Sequence, residues 1–155
     1  MNIRSRVIGL ALCALACLVI YSCTHVSGTF ISAHGSMAGR SMKDNCMDCH
    51  QAGATQGAFS VAGTVLQMDY TTRNPNGTVY LYSQPNASLG NDSVIATIEV
   101  DGVGNFYTTH PIDLSKGVYP AVTSASGNKV FMKGITTNGS CNSCHGPIES
   151  NIVVN

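Results

Sequence analysis

Between residues 58 and 133 apolar and polar side chains alternate with a period of two, the repeat of a strand that buries one face. Phe59, Val61, Gly63 and Val65 alternate with Ser60, Ala62 and Thr64. Arg73-Asn74-Pro75-Asn76-Gly77 is a cluster of turn formers, and Thr78 to Tyr82 reads as a second strand. After a loop over 83–91, Val94, Ala96, Ile98 and Val100 alternate with Ile95, Thr97 and Glu99. Asp101-Gly102 with Gly104 predicts a tight turn into 105–109, the strongest hairpin signal in the chain. Residues 117–123 form a further strand, expected at a sheet edge because Pro120 has no N–H to give a ladder. Beyond Ser126-Gly127-Asn128, residues 129–133 return as the last strand. No amphipathic helical stretch of ten residues interrupts this texture. The pattern predicts an all-β fold, a small antiparallel β-sandwich of about six to seven strands, with loops or short helices at both ends.

Composition narrows the picture. The 155 residues suffice for one domain and an N-terminal extension. Trp is absent and aromatics are 6%, so the core must come from small and β-branched side chains. Charged residues are 10% with zero net charge, and no basic patch offers itself to a nucleic acid. At the N-terminus Arg4 and Arg6 precede an apolar run over 7–20, the layout and length of a secretory signal. Ile20-Tyr21-Ser22-Cys23 resembles a bacterial lipobox, with Tyr21 departing from the small or β-branched residue usual there. The resemblance implies cleavage before Cys23, its lipidation, and a membrane anchor at the bacterial cell envelope, facing the periplasm or the cell surface. The competing reading makes Cys23 one more cysteine of an uncleaved anchor. Loss of residues 1–22 leaves six basic against eight acidic residues, a charge of −2, which favours partners with basic docking faces.

The chemistry lies in the cysteines. Cys46-Met47-Asp48-Cys49-His50 is echoed by Cys141-Asn142-Ser143-Cys144-His145. C-x-x-C-H is the attachment pattern of c-type haem: two thiols add to the vinyl groups and the next imidazole becomes an axial iron ligand. Two intervening residues let both sulfurs reach one edge of the macrocycle. Two copies in one chain point to two covalent haems and a dihaem c-type cytochrome. A four-thiolate zinc site competes, but structural zinc pairs usually lie roughly 15–20 residues apart and need no histidine after each pair. Redox dithiols also compete, yet the βαβ context of such motifs is missing. The seven cysteines divide without remainder: Cys13 and Cys17 in the signal, Cys23 for lipid, and Cys46, Cys49, Cys141 and Cys144 for haem. The chain thus reads as signal (1–22), tether and haem-wrapping segment (23–45), first haem motif (46–57), sandwich (58–133), and second haem motif with tail (134–155).

His50 and His145 are the expected proximal ligands. His34 is the distal candidate for the first haem, with Met42 or Met37 as alternatives; His110, with Met132 as alternative, is the candidate for the second. Each has a plainer reading, His34 as a solvated loop histidine and His110 as a surface-turn histidine. His25 belongs to the tether, and Met68 to packing or solvent. Four N-x-[ST] patterns, at Asn76, Asn86, Asn91 and Asn138, are read as turn chemistry. Two imidazoles per iron mean electron transfer with redox protein partners, including self-association into haem chains. An open iron site means a haem enzyme or small-ligand sensor, and a sandwich merely stabilised by haem means a binding module of a surface complex. Strand order decides whether the two haems sit together or at opposite ends, and the sequence leaves both arrangements open.

The strand region carries one further resemblance. Phe59-Ser60-Val61-Ala62-Gly63-Thr64-Val65, Gly77-Thr78-Val79-Tyr80-Leu81-Tyr82, the run from Ala96 through Asp101-Gly102-Val103-Gly104-Asn105-Phe106-Tyr107, and Gly117-Val118-Tyr119 resemble carboxypeptidase regulatory-like (prealbumin-like) domains in the same order. The resemblance covers roughly residues 58–133 and implies a fold only, since its most specific part solves a turn. Those domains do not carry C-x-x-C-H at their borders.

Overall fold

The computed structural model describes residues 44–55, 57–85, 93–145 and 151–155. Its strands are β1 (Val61–Leu66), β2 (Thr78–Tyr82), β3 (Val94–Glu99), β4 (Asn105–Thr108), β5 (Tyr119–Thr123), β6 (Lys129–Phe131) and β7 (Ile152–Val153). They form two sheets, β4-β1-β7 and β3-β2-β5-β6. This is the all-β sandwich that the period-two pattern predicts. All strand pairs are antiparallel except β1 with β7, which is parallel. Val61, Val65 and Phe106 meet Val79, Leu81, Ile98 and Val122 in the core, closed by Val100, Val118 and Val154. Most of these are β-branched, as the scarcity of aromatics requires, and Phe106 is the one large ring among them.

Two expectations are corrected. Residues 101–105 do make a tight turn: Asp101 N–H donates to the Asn105 carbonyl (2.8 Å) and Gly104 N–H to the Asp101 carbonyl (3.1 Å). The strands it joins are nonetheless no hairpin, because β3 pairs with β2 while β4 pairs with β1 in the other sheet. The turn carries the chain across the sandwich. Gly104 adopts φ +79° with Arg73 and the Val65 carbonyl close by, so a side chain there would meet both strain and a neighbour. Asp101 is buried, and its Oδ1 accepts from Val103 N–H and Asn105 N–H, each at 2.9 Å. Asp101→Ala is expected to cost about 1–3 kcal/mol in equilibrium denaturation, from the loss of two bonds that a buried carboxylate makes to partly buried donors.

The second correction concerns Pro120. β5 lies inside its sheet, between β2 and β6, rather than at an edge. The β6 ladder ends where Phe131 pairs with Ala121, so Pro120 faces the frayed end of the short strand. There its carbonyl accepts from Met132 N–H (2.9 Å), and only the reciprocal bond at the end of the ladder is forgone.

β1 departs from its half-buried pattern, since all six of its residues are buried. The reason is the chain end. Gly139 lies alongside β1, its carbonyl accepting from Ala62 N–H (2.9 Å), and Ala62 bridges Ser140 in parallel. Further along, Val65 and Leu66 pair with Ile152 and Val153. The segment expected to be a tail therefore covers the open edge of β1 and sends Val154 into the core.

Candidate functional site

Each C-x-x-C-H segment folds into a single 3-10 turn, Cys46–Asp48 and Cys141–Ser143. The hydrogen bonds are the same in both. Cys49 N–H donates to the Cys46 carbonyl (3.3 Å) and His50 N–H to the same oxygen (3.0 Å); Cys144 N–H and His145 N–H reach the Cys141 carbonyl at 3.3 and 2.9 Å. Such a turn sets two cysteines and the following histidine in a fixed mutual relation without need of a longer helix. In each pair the first cysteine is half-buried and the second exposed. All four thiols are free. Among the described residues no group of three or more His, Cys, Asp or Glu gathers tightly enough to hold a metal, so the four sulfurs do not converge as a tetrathiolate site requires.

The first turn starts at Asn45, whose Oδ1 accepts from Met47 N–H (3.1 Å) while its Nδ2 donates to Asp48 Oδ1 (2.7 Å). Asn is a preferred residue for this capping position. His50 is oriented on two sides. A carbonyl can only accept, so the 2.9 Å contact between its Nδ1 and the Gly57 oxygen places a proton on Nδ1 and leaves Nε2 as the nitrogen with a lone pair for a metal. The ring also stacks on Phe59, with centroids 3.8 Å apart and planes 7° from parallel. Phe59 stacks in turn on Tyr107 at 4.4 Å and 19°. The intervening loop is closed by Phe59 N–H donating to the His50 carbonyl (2.9 Å).

The second turn is built into the sheet. Cys141 packs against the hydrophobic core, and a Cβ on Gly63 would lie 2.9 Å from the Cys141 Cβ and 2.6 Å from the Phe106 ring. Burial, and then the neighbouring Cys46 thiol, push the Cys141 thiol up to about 12; burial likewise raises that of Cys46. Asn142 is buried, with its Oδ1 accepting from Thr64 N–H (3.1 Å) and its Nδ2 donating to Thr64 Oγ1 (3.3 Å) and to the Asp44 carbonyl (3.0 Å). Ser140 Oγ donates to Asn45 Oδ1, so the residues preceding the two motifs touch. The chain folds back over a separation of 95 residues to bring both motifs to β1.

With the thiols free, alkylation at neutral pH is expected to modify Cys49 and Cys144 first and Cys141 last, read by peptide mass spectrometry. Exposure and the raised Cys141 pKa both act in that order, because only the thiolate attacks.

Of the distal candidates, His110 is exposed two residues past β4, its N–H donating to Thr108 Oγ1 (3.0 Å). The Thr108 carbonyl accepts from Ser60 N–H, which puts this strand end beside the segment leaving the first motif. Met132 is 38% exposed just beyond β6. His34, Met37 and Met42 lie outside the described residues, as do Cys23, the signal and the tether up to residue 43. Sequence reasoning does not single out Asn45, Ser140, Asn142, Gly57 or Phe59 as site residues. A signal for the first two is present: Asn and Ser, both helix-capping types, immediately precede each first cysteine. No protein-family model matches the sequence, and no curated protein or solved structure matches it either.

Proposed function

We propose that this chain is an exported, lipid-anchored dihaem c-type cytochrome that carries single electrons between redox protein partners at the bacterial cell envelope. The observation that carries the reading is the folding of both C-x-x-C-H segments into the same turn with all four thiols free. Cys46 and Cys49 would hold one haem and Cys141 and Cys144 the other, with His50 and His145 as proximal ligands. A bound haem supplies a one-electron iron couple. The donor set fits that group: two thiols and one imidazole per turn, and for His50 a carbonyl on Nδ1 of the kind that holds a metal-binding imidazole in its tautomer.

The protein's own residues supply orientation and shielding. Gly57 and Phe59 fix the His50 ring, Asn45 shapes its turn, and the core behind Cys141 keeps water from one side of the second site. Export and lipidation at Cys23 rest on the sequence of residues 1–23, and the prealbumin-like assignment of the sandwich on its strand motifs. His34 and His110 remain the proposed distal ligands, with Met42 and Met132 as alternatives.

The optical and EPR spectra of protein matured with haem-attachment machinery test the relay. Low-spin, six-coordinate signals that ignore carbon monoxide are expected, and His110→Ala is expected to convert one of the two sites to a high-spin form that binds it. A high-spin site in the parent protein that binds carbon monoxide would replace the relay with enzyme or sensor chemistry.

A further inference from the structure

The sequence admits haems at one end of the sandwich or at opposite ends. Both turns pack on β1, and they are joined to each other as well as to it. Ser140 Oγ reaches Asn45 Oδ1 across the boundary between the motifs. Asn142, a residue inside the second C-x-x-C, donates to the Asp44 carbonyl just before the first. The same Asn142 holds Thr64 of β1 through its backbone N–H and its hydroxyl, and Thr64 Oγ1 continues to Asn105 Oδ1 (2.8 Å). A buried amide with its oxygen and nitrogen both paired fixes its neighbours far more firmly than an exposed one.

We propose that the two attachment turns form one rigid block, with Asn142 as its positioning residue, and that the block holds the two haems as an interacting pair rather than as independent centres. This rests on the dihaem reading and adds an arrangement to it. An interacting pair reports itself without any turnover. When two paramagnetic irons are neighbours, the EPR spectrum of one depends on the oxidation state of the other. Charge on one iron also changes the electron affinity of its neighbour.

The experiment is a potentiometric titration of the parent protein followed by EPR, with covalent haem counted by mass spectrometry on the same sample. The fully oxidised spectrum is expected to depart from the sum of the two single-centre spectra, and the electron affinity of each centre is expected to fall by about tenfold when the other is reduced, the scale of a unit charge felt across a protein contact. Asn142→Leu keeps all four thiols and both imidazoles; with two haems still attached, it is expected to move the spectrum toward the sum of two isolated centres. Parent protein with two haems whose spectra and titration are already additive overturns the pair and leaves the dihaem reading standing. Parent protein without covalent haem overturns both.

Discussion

Asn142→Leu is expected to lower the stability of the haem-free domain by about 2–4 kcal/mol, read by urea or thermal unfolding. Leucine matches the side chain in size, so the loss is one of pairing rather than of volume. Thr64 N–H on β1 loses its acceptor, and the Asp44 carbonyl loses a donor. Stranding the buried Thr64 N–H costs about 1–3 kcal/mol, and losing the bond to the exposed Asp44 costs about 0.5–1.5 kcal/mol. Asn142→Asp retains an acceptor for Thr64 N–H but sets a buried carboxylate oxygen against the Asp44 carbonyl and Thr64 Oγ1, so at neutral pH it is expected to be at least as destabilising as the leucine variant. A leucine variant as stable as the parent would mean that the second turn does not depend on this amide.

Phe106→Ala is expected to be the most damaging change within the sandwich, at about 3–5 kcal/mol by the same unfolding measurement. Phe106 is 1% exposed, pairs with Gly63 across β4 and β1, and is the largest of the fully buried side chains. Its ring occupies the space that Gly63 leaves open, next to the Cys141 Cβ. The cavity would therefore open under the second turn as well as between the sheets. Phe106→Leu, which retains much of the volume, is expected to recover more than half of the loss. In protein carrying haem, the alanine variant is further expected to disturb the centre attached at Cys141 and Cys144 before the one at Cys46 and Cys49.

The alternation in the sequence puts Val61, Val65, Ile98 and Val100 on one face of their strands, and these residues are buried, because period two arises from the pleat alone. That same alternation cannot name a strand's neighbours. The turn at 101–104 has hairpin chemistry, yet β3 and β4 enter different sheets, since a tight turn fixes a reversal of direction and not the partners of the strands on either side of it. The missing N–H of Pro120 points to an edge, and the structure tolerates the residue in an inner strand because β6 stops beside it. The open edge of β1 is paired by residues 139–140 and 152–153, a contact spanning most of the domain that no local pattern encodes. At the proposed site, the six C-x-x-C-H residues are legible because the haem attachment we propose would dictate their spacing. Asn142 occupies an x position, where the motif accepts any residue, and only the fold reveals it as the link between the two turns.

The most direct test of the central proposal is the number of covalent haems per chain. The protein would be produced with haem-attachment machinery, purified under denaturing conditions to strip anything bound non-covalently, and assayed by pyridine haemochrome and intact mass. Two haems per parent chain are expected, falling to one in Cys46→Ala/Cys49→Ala and to the other one in Cys141→Ala/Cys144→Ala, with peptide masses placing each on its own turn. A parent chain that carries no covalent haem, with all four thiols open to alkylation after unfolding, would contradict the assignment of this protein as a cytochrome.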